Sequence, residues 1–424
     1  MPFRFVHTAD LHLDSPLSSL ALKNADLSDL VRGATRAALS AIVDLCLAED
    51  VDALLIVGDL YDGAQTSMNT ALFLSAELRR LDAQGIRVFV IRGNHDSAST
   101  IKRELTFPDN VHLFSGKQRA VQAATLANGR PVYVHGVGFD NPHAPESLLP
   151  GFQPPFADAI NIGMLHTSLA GAPGHDAYAP CSLSELIGHG FDYWALGHVH
   201  LRQVHCEKPL IVMPGMPQGR DINEAGGKSV TLVTVGEDGT LTHEERRIGT
   251  AAFERISIDL TGVESWSGAL QAIGRALDAG RHLHAEGQVI ARLMLSGATP
   301  LAARLRRDPD FLLGEAVNLA ASRNGLWIET VEVACTGAGG SNSVGADPVE
   351  ELGRLMREDV LTAPGFRREV EVLFEDFLGQ LPRELRERFV AEEAAAADLT
   401  AMLAIQGAED VLAALSGSGV GEPT

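Results

Sequence analysis

The stretch Leu54-Leu55-Ile56-Val57-Gly58-Asp59-Leu60-Tyr61-Asp62 decides the fold. Four apolar residues run straight into a glycine and a carboxylate. An unbroken apolar run closed by a turn signal is the pattern of a strand buried on both faces, as in a parallel sheet. Gly58 lets the chain turn at once, so Asp59 is presented where the strand ends. In open α/β sheets, ligand sites collect at the carboxyl ends of the strands. A carboxylate placed there has two oxygens and can bridge two cations.

Working outward, four other segments repeat the pattern. Phe3-Arg4-Phe5-Val6-His7 runs into Asp10-Leu11-His12. Val88-Phe89-Val90-Ile91 runs into Gly93-Asn94-His95-Asp96. Ile160–Leu165 ends at His166, and Tyr193-Trp194-Ala195-Leu196 ends at Gly197-His198-Val199-His200. Each is an apolar strand followed at once by His, Asp or Asn, donors suited to hard or borderline divalent metals. In Asp10-x-His12 and His198-x-His200 the i, i+2 spacing of an extended segment is expected to turn both side chains the same way.

The ligand set is Asp10, His12, Asp59, Asn94, His166, His198 and His200. Around a bridging Asp59 it divides in two. One ion takes Asp10, His12, Asp59 and His200, and the other takes Asp59, Asn94, His166 and His198. Two ions about 3.5–4 Å apart clamp phosphoryl oxygens and lower the pKa of a bridging water. The expected chemistry is hydrolysis of a phosphoester by attack of a metal-bridging hydroxide, with no covalent enzyme nucleophile. The mixed His, carboxylate and amide donors suit Mn²⁺ or Fe best, with Zn²⁺ also fitting. His95, next to Asn94 but pointing elsewhere, is a candidate general acid or stabiliser of phosphoryl charge. Asp96 or Asp62 can orient its ring. Arg220, in the turn-rich run Pro214–Asp221, is a candidate phosphate contact. His135, His143 and His175 stay outside the ligand set.

Elsewhere the pattern is that of an ordinary α/β protein. Residues 27–50 and 68–84 carry apolar residues at helical spacing and would cover the sheet. Strand–helix–strand alternation implies parallel strands with right-handed crossovers. Gly226-Gly227-Lys228-Ser229 ends like a phosphate-binding loop, but Ile222 stands where that motif needs its first glycine, and a strand follows rather than a helix. Residues 97–130 read as irregular apart from a short strand at Val111–Phe114. Near residue 250 the pattern changes to a smaller α/β unit. Its Arg304, Arg306 and Arg307 read as a solvated face more readily than as a phosphate contact. The expected organisation is a metal-binding domain over 1–250 and a capping domain over 251–335. A Gly/Ser linker over 336–348, a helical region over 349–415 and a disordered tail over 416–424 follow.

The chain of 424 residues has a net charge of −21, of which residues 341–424 supply 17 acidic against 7 basic residues. That balance excludes a protein that coats nucleic acid by bulk charge and leaves room for a local groove. No apolar run is long enough for a transmembrane helix, so no membrane association is expected. The ligand pattern begins by position 10, so no signal peptide is expected. Cys46, Cys181, Cys206 and Cys335 form no Cys-x-x-Cys pair and read as reduced core thiols, consistent with a cytoplasmic location.

Taken together, Asp10-x-His12, Gly58-Asp59-x-x-Asp62, Gly93-Asn94-His95-Asp96, His166 and Gly197-His198-x-His200 resemble the calcineurin-like metallophosphoesterase signature. The opening Thr8–Leu17 and the run Pro214-Gly215-Met216-Pro217-Gln218-Gly219-Arg220 resemble the SbcD-like DNA repair nucleases, and most closely their bacterial YhaO-type branch. Asp62 departs from many of those nucleases, which carry histidine there. The resemblance covers about residues 1–250. It implies a sandwich of two β-sheets flanked by helices, with a small α/β cap and a helical C-terminal region. It also implies a Mn²⁺-dependent DNA exonuclease or endonuclease acting in repair, a possible homodimer, and an SMC-like coiled-coil ATPase partner engaged by the C-terminal helices. The same seven ligands would serve a phosphodiesterase or phosphatase acting on small nucleotides or phosphoesters. They would also serve a structural subunit whose metals only hold a partner surface, although such a subunit has no need of His95.

Overall fold

The apolar runs become strands that water does not reach. In β1 (Phe3–Thr8), β2 (Ala53–Val57) and β3 (Arg87–Ile91) nearly every residue is buried. The three pair in parallel, with Val6 opposite Leu54 and Leu54 opposite Val88. The structure is a computed structural model that describes residues 2–15, 25–62, 67–97, 107–114, 119–138, 141, 143–169, 178–283, 287–337, 348–381 and 393–416. Pro16, Leu17, His175, most of the expected linker and residues 417–424 of the expected tail lie outside them.

The chain divides into two units, one running to Phe253 and the other from Glu254 on, with Gly287 and Gln288 grouped with the first. The first unit is built on two six-stranded sheets, each around four parallel strands. In one, β4 (Val111–Leu113) joins β3, while β11 (Ser229–Val235) and β12 (Leu241–Arg247) add an antiparallel pair beside β1. In the other, β6 (Pro131–Gly136), β7 (Ile160–His166), β8 (Tyr193–Gly197) and β10 (Leu210–Met213) are parallel. The edges are β5 (Arg119–Thr125) and β9 (Gln203–Glu207), both antiparallel.

The sheets face each other across one apolar layer. Phe5, Val57, Phe89 and Ile91 of the first pack with Val132, Ile160, Tyr193 and Val212 of the second. On the outer face of the first sheet, α1 (Ala25–Ala48) and α2 (Met68–Asp82) bury Leu39, Ile42, Leu74 and Leu78 against Leu54, Ile56 and Val88. Each such side chain contributes about 1.5–3 kcal/mol of transfer free energy. The outer face of the second sheet is covered by α4 (Leu183–His189) and the loop carrying Leu149 and Phe152, packed on Trp194 and Ile211. Ser182 and Glu185 form a capping box that starts α4. This is the expected α/β sandwich of two mixed sheets flanked by helices.

Three edge strands, β5, β9 and β12, and the short α4 lie where the sequence suggested no element. Their alternation is weak because one face or both meet water, as the exposed pattern of β12 shows. They borrow their conformation from the ladder beside them.

The second unit has its own core. β13 (Ala251–Asp259), β14 (Gln288–Ser296) and β15 (Leu326–Val333) form a three-stranded sheet. Against it α5 (Trp266–Leu283) and α7 (Pro309–Ala321) bury Ile273, Leu277, Leu312 and Ala316. The C-terminal helices α8 (Pro348–Leu355) and α9 (Pro364–Gln380) and the final helix Glu393–Ser416 cluster with this sheet in one unit rather than as a body of their own. The tie is visible at Arg306. It is buried at the end of α6 (Ala302–Arg307), 2.9 Å from Asp410 of the final helix, and donates to the Cys335 carbonyl at 2.9 Å. Arg304 lies over the Trp266 ring at 4.6 Å. Of the three arginines expected on a solvated face, Arg306 is therefore a packing element, whereas Arg304 and Arg307 are exposed as expected.

Candidate metal centre

Five strand ends converge at one edge between the sheets. β1, β2 and β3 deliver Asp10-x-His12, Asp59 and Asn94, the last opening the short helix α3 (Asn94–Ser97), while β7 and β8 deliver His166, His198 and His200. The loops after β1 and β2 run side by side: the amides of Asp10, His12 and Leu13 donate to the carbonyls of Gly58, Asp59 and Leu60 at 3.0–3.1 Å.

The structure brings all seven expected ligands together. Donor atoms of Asp10, His12 and His200 lie within 4.8 Å of one another, as do those of Asp59, His166 and His198. A third such group, His12, Asp62 and His95, shares His12 with the first. His12 Nε2 faces His200 Nε2 at 3.2 Å. Asp59 Oδ2 sits between the halves, 3.4 Å from His166 Nε2 and 3.9 Å from His12 Nε2. Asn94 Oδ1 completes the second half, 3.0 Å from His166 Nε2 and 3.3 Å from His198 Nδ1.

The backbone that achieves this is not extended. Asp10, His12, Asp59 and His198 have φ of 54°, 43°, 51° and 103°. Non-glycine residues in this region carry a strain of order 1–3 kcal/mol each and cluster at functional sites. The straight-strand geometry expected of the i, i+2 pairs is corrected on this point: with left-handed residues aiming the side chains, Asp10 and His12 still reach one group as expected, whereas His198 and His200 serve opposite halves. Close approach also explains two glycines. A Cβ on Gly93 would lie 2.2 Å from Asp59 Oδ1, and one on Gly58, itself at φ +85°, would lie 2.3 Å from His166 Nδ1.

Local hydrogen bonds fix which atom each ligand presents. His166 Nδ1 lies 2.9 Å from the Val57 carbonyl, which only accepts, so Nδ1 carries a proton and Nε2 faces the site. Asp59 Oδ1 accepts from the His95 amide at 3.0 Å, leaving Oδ2 inward. The Asp10 carboxylate accepts the His198 amide at 3.1 Å. Asp96 is a brace, not the partner of His95: its oxygens accept from the amides of Gly93 at 3.0 Å and Tyr61 at 3.1 Å. Tyr178 packs its ring on His198 and edge-on to His166, with centroids 5.6 and 5.5 Å away.

The electrostatics fit a cation-binding cluster. Burial pushes the Asp10 carboxyl up to about 6, with His166 and His200 pulling the other way. Burial opposes the Asp59 charge as well, yet His166 and His12 hold that carboxyl well below its usual range. Burial pushes His12 down to about 3, so its ring is neutral with a lone pair to offer. His166 is lifted to about 9 against burial by Asp59 and Asp10. Nδ1 of His12 is buried without a hydrogen-bond partner. Nitrogen and oxygen donors gathered on a strained backbone would suit a pair of divalent ions.

Beside this cluster sits a second set. His95 Nδ1 lies 3.1 Å from Asp62 Oδ1, and its ring is 41% exposed. The Asp62 hydrogen bond raises the His95 pKa above its usual value. Asp62 also accepts from the Ser15 hydroxyl. Arg220 Nη1 is 3.6 Å from Asp62 Oδ2, and the Arg220 fork engages Glu224, whose Oε1 lies 2.9 Å from His200 Nδ1. Gln218 secures this loop: its Oε1 accepts from the amides of Thr250 and Ala251 at 3.0 and 3.2 Å. Arg220, expected as a phosphate contact, thus faces the site while paired with two carboxylates. Sequence reasoning missed Glu224, Tyr178 and Ser15. Glu224 offered one signal, an acid four residues after Arg220 in a turn.

Comparison with known proteins follows the same division. The family profile for calcineurin-like phosphoesterases matches residues 3–202, and that for the middle domain of metallophosphoesterase YhaO matches residues 253–336. The chain is 34% identical to the uncharacterised metallophosphoesterase YhaO of Bacillus subtilis, over 70% of this chain and 72% of that one. It is 26% identical to the DNA double-strand break repair protein Mre11 of Saccharolobus solfataricus, over 55% of this chain and 61% of that one. The Mre11 of Sulfurisphaera tokodaii matches at 25% over a similar span, 60% of its length.

Proposed function

Because the chain belongs to the YhaO-type branch of the calcineurin-like metallophosphoesterases, a family of dimetal enzymes, we propose that this metal-dependent phosphoesterase is a nuclease acting on DNA in repair. The observation that carries the phosphodiester reading is the pairing of seven convergent donors with His95, held half-exposed beside them by Asp62. Similarity to two proteins named for DNA double-strand break repair supports a polymer substrate.

Asp10, His12, Asp59 and His200 would hold one ion, and Asp59, Asn94, His166 and His198 the other. This mixture suits Mn²⁺ or Fe, and the resemblance to the SbcD-like nucleases favours Mn²⁺. When bound, the ions neutralise phosphoryl oxygens and make water a nucleophile near neutral pH. His95 donates its proton to the leaving oxygen or stabilises phosphoryl charge, and Asp62 keeps it protonated and oriented. Arg220 faces the phosphate from the side of Asp62. The C-terminal helices offer a partner surface of the kind a coiled-coil ATPase would cover. Val372, Leu373 and Phe377 of α9 are exposed there.

One observation favours a second reading, hydrolysis of small nucleotides or phosphoesters. In the second unit Arg292, Arg306, Arg323 and Arg354 are each tied to carboxylates, and the net charge of the chain is −21. Incubation of end-labelled linear DNA with Mn²⁺, beside the His95→Ala protein and bis-p-nitrophenyl phosphate, separates the two. DNA degradation that His95→Ala abolishes, with an affinity falling steeply with salt, supports the nuclease. Hydrolysis of the small ester alone overturns it in favour of the second reading.

A further inference from the structure

Glu224 lies outside every motif, yet it touches both functional sets of the first unit. Asp221 caps the 3-10 turn Ile222–Glu224 by accepting the Asn223 amide at 2.7 Å, and Ile222 is buried beneath it. That turn swings the Glu224 carboxylate inward until its side chain is only 12% exposed. Oε1 lies 2.9 Å from His200 Nδ1, and Oε2 accepts the Arg220 backbone amide at 2.8 Å. The Arg220 guanidinium donates to both oxygens, with Nε at 3.2 and 3.1 Å.

Building on the two-metal reading above, we propose that Glu224 is a positioning residue for one half of the metal centre. It fixes the tautomer and direction of the His200 imidazole and holds Arg220 against Asp62. A carboxylate can only accept from His200, so Nδ1 carries the proton and Nε2 keeps its lone pair. That lone pair points at His12 Nε2, 3.2 Å away, in the half built by Asp10, His12 and His200. Among the described residues, the Glu224 contacts run to His200 of that half and to Arg220, which directs its influence there. Outer partners of ligating histidines typically matter 10–100-fold in metal affinity. The same carboxylate places Arg220 Nη1 at 3.6 Å from Asp62. One side chain thereby links the orientation of a metal ligand to the position of the cation beside the candidate acid.

The test is Mn²⁺ binding by the full chain, read from the electron paramagnetic resonance signal of free ion, with no turnover involved. The parent is expected to bind two ions. Glu224→Ala is expected to weaken one of them about 10–100-fold and leave the other unchanged. Glu224→Gln keeps an oxygen within reach of His200 but no charge, and retains most of the affinity. Glu224→Asp keeps the charge on a shorter arm and weakens the same ion, so the comparison holds even if the alanine protein does not fold. In a His200→Ala background, Glu224→Ala then leaves the remaining ion untouched. Equal weakening of both ions, or a loss in Glu224→Gln that Glu224→Asp does not share, overturns the proposal. A parent protein that binds no Mn²⁺ overturns the two-metal reading itself, whereas two ions unaffected by any Glu224 change overturn only this inference.

Discussion

His95 and Asp62 form a hydrogen-bonded pair at the rim of the metal cluster, with Nδ1 3.1 Å from Oδ1 and the His95 ring 41% exposed. The ligand rings of His12 and His166 are buried, whereas this one reaches solvent on one side. Asp62 raises the His95 pKa, so the proton is retained to higher pH than on a free imidazole. A general acid works only while protonated, and the rate falls above its pKa. We therefore expect the alkaline limb of the rate–pH profile to move to lower pH in Asp62→Asn. His95→Ala should lose about 10²–10⁴ in kcat with Mn²⁺ stoichiometry unchanged. A profile that does not shift in Asp62→Asn would remove the pair from the chemistry.

Metal affinity should climb with pH. His166 is lifted to about 9 by Asp59 and Asp10 against the effect of burial, so Nε2 carries a proton at neutral pH. An ion must displace that proton to reach the lone pair. Each unit of pH below about 9 then weakens the Asp59–His166–His198 half by up to about tenfold. Calorimetry in two buffers of different ionisation enthalpy should show close to one proton released per chain at pH 7.5. Proton release of zero would mean that His166 is already neutral.

The sequence displayed the centre well because strand ends are a simple code. An apolar run such as Leu54–Val57 specifies a buried strand, and whatever follows it must stand at the sheet edge. The central strands could be read on that ground, while their division into two sheets came only from the family resemblance, and all seven ligands lie together. What failed to show follows from the same physics. The strands β5, β9 and β12 have little apolar alternation to display, since neighbours rather than burial set their shape. Glu224 and Tyr178 come from loops, where no period ties position to direction. The left-handed φ of Asp10 and His12 was hidden because only the fold decides whether an i, i+2 pair lies on a straight strand or a kinked one.

Gly93→Ala should damage the centre more than its size suggests. The added Cβ would meet Asp59 Oδ1 at 2.2 Å and the Asp59 amide nitrogen at 2.7 Å. Either Asp59 or the turn before Asn94 must shift, and both carry ligands. The expected result is loss of one or both bound ions, with thermal stability lowered by about 1–3 kcal/mol, typical of overpacking. A Gly93→Ala protein with two ions bound at parental affinity would show that the turn can relax away from Asp59.

The last prediction concerns the tie beneath the centre. His7 of β1 is fully buried between the sheets, with Nε2 3.0 Å from the Leu196 carbonyl and Nδ1 2.8 Å from the Tyr193 hydroxyl. The carbonyl can only accept, so Nε2 carries the proton and Nδ1 accepts from Tyr193. Burial pushes the His7 pKa from 6.5 down to about 3. Above pH 6.5 neither the folded nor the unfolded chain protonates this ring, and it imposes no pH dependence. Between pH 6.5 and about 3 the unfolded chain takes up a proton that the folded one refuses, so stability falls with pH by about 1.4 kcal/mol per unit. In chelator, the parent should therefore lose about 2 kcal/mol between pH 6.5 and 5 through this residue alone. Other groups titrate in that window, and His7→Gln isolates the His7 share as the difference in slope between the two proteins. Tyr193→Phe leaves Nδ1 buried without its donor and should cost about 1–3 kcal/mol at pH 7.5, where the ring is neutral in both states. Urea denaturation of the three proteins at pH 7.5, 6.5 and 5 reads both effects. Parallel pH dependence in the parent and His7→Gln would mean that the buried ring accepts a proton in place, with Tyr193 turning its hydroxyl to receive it.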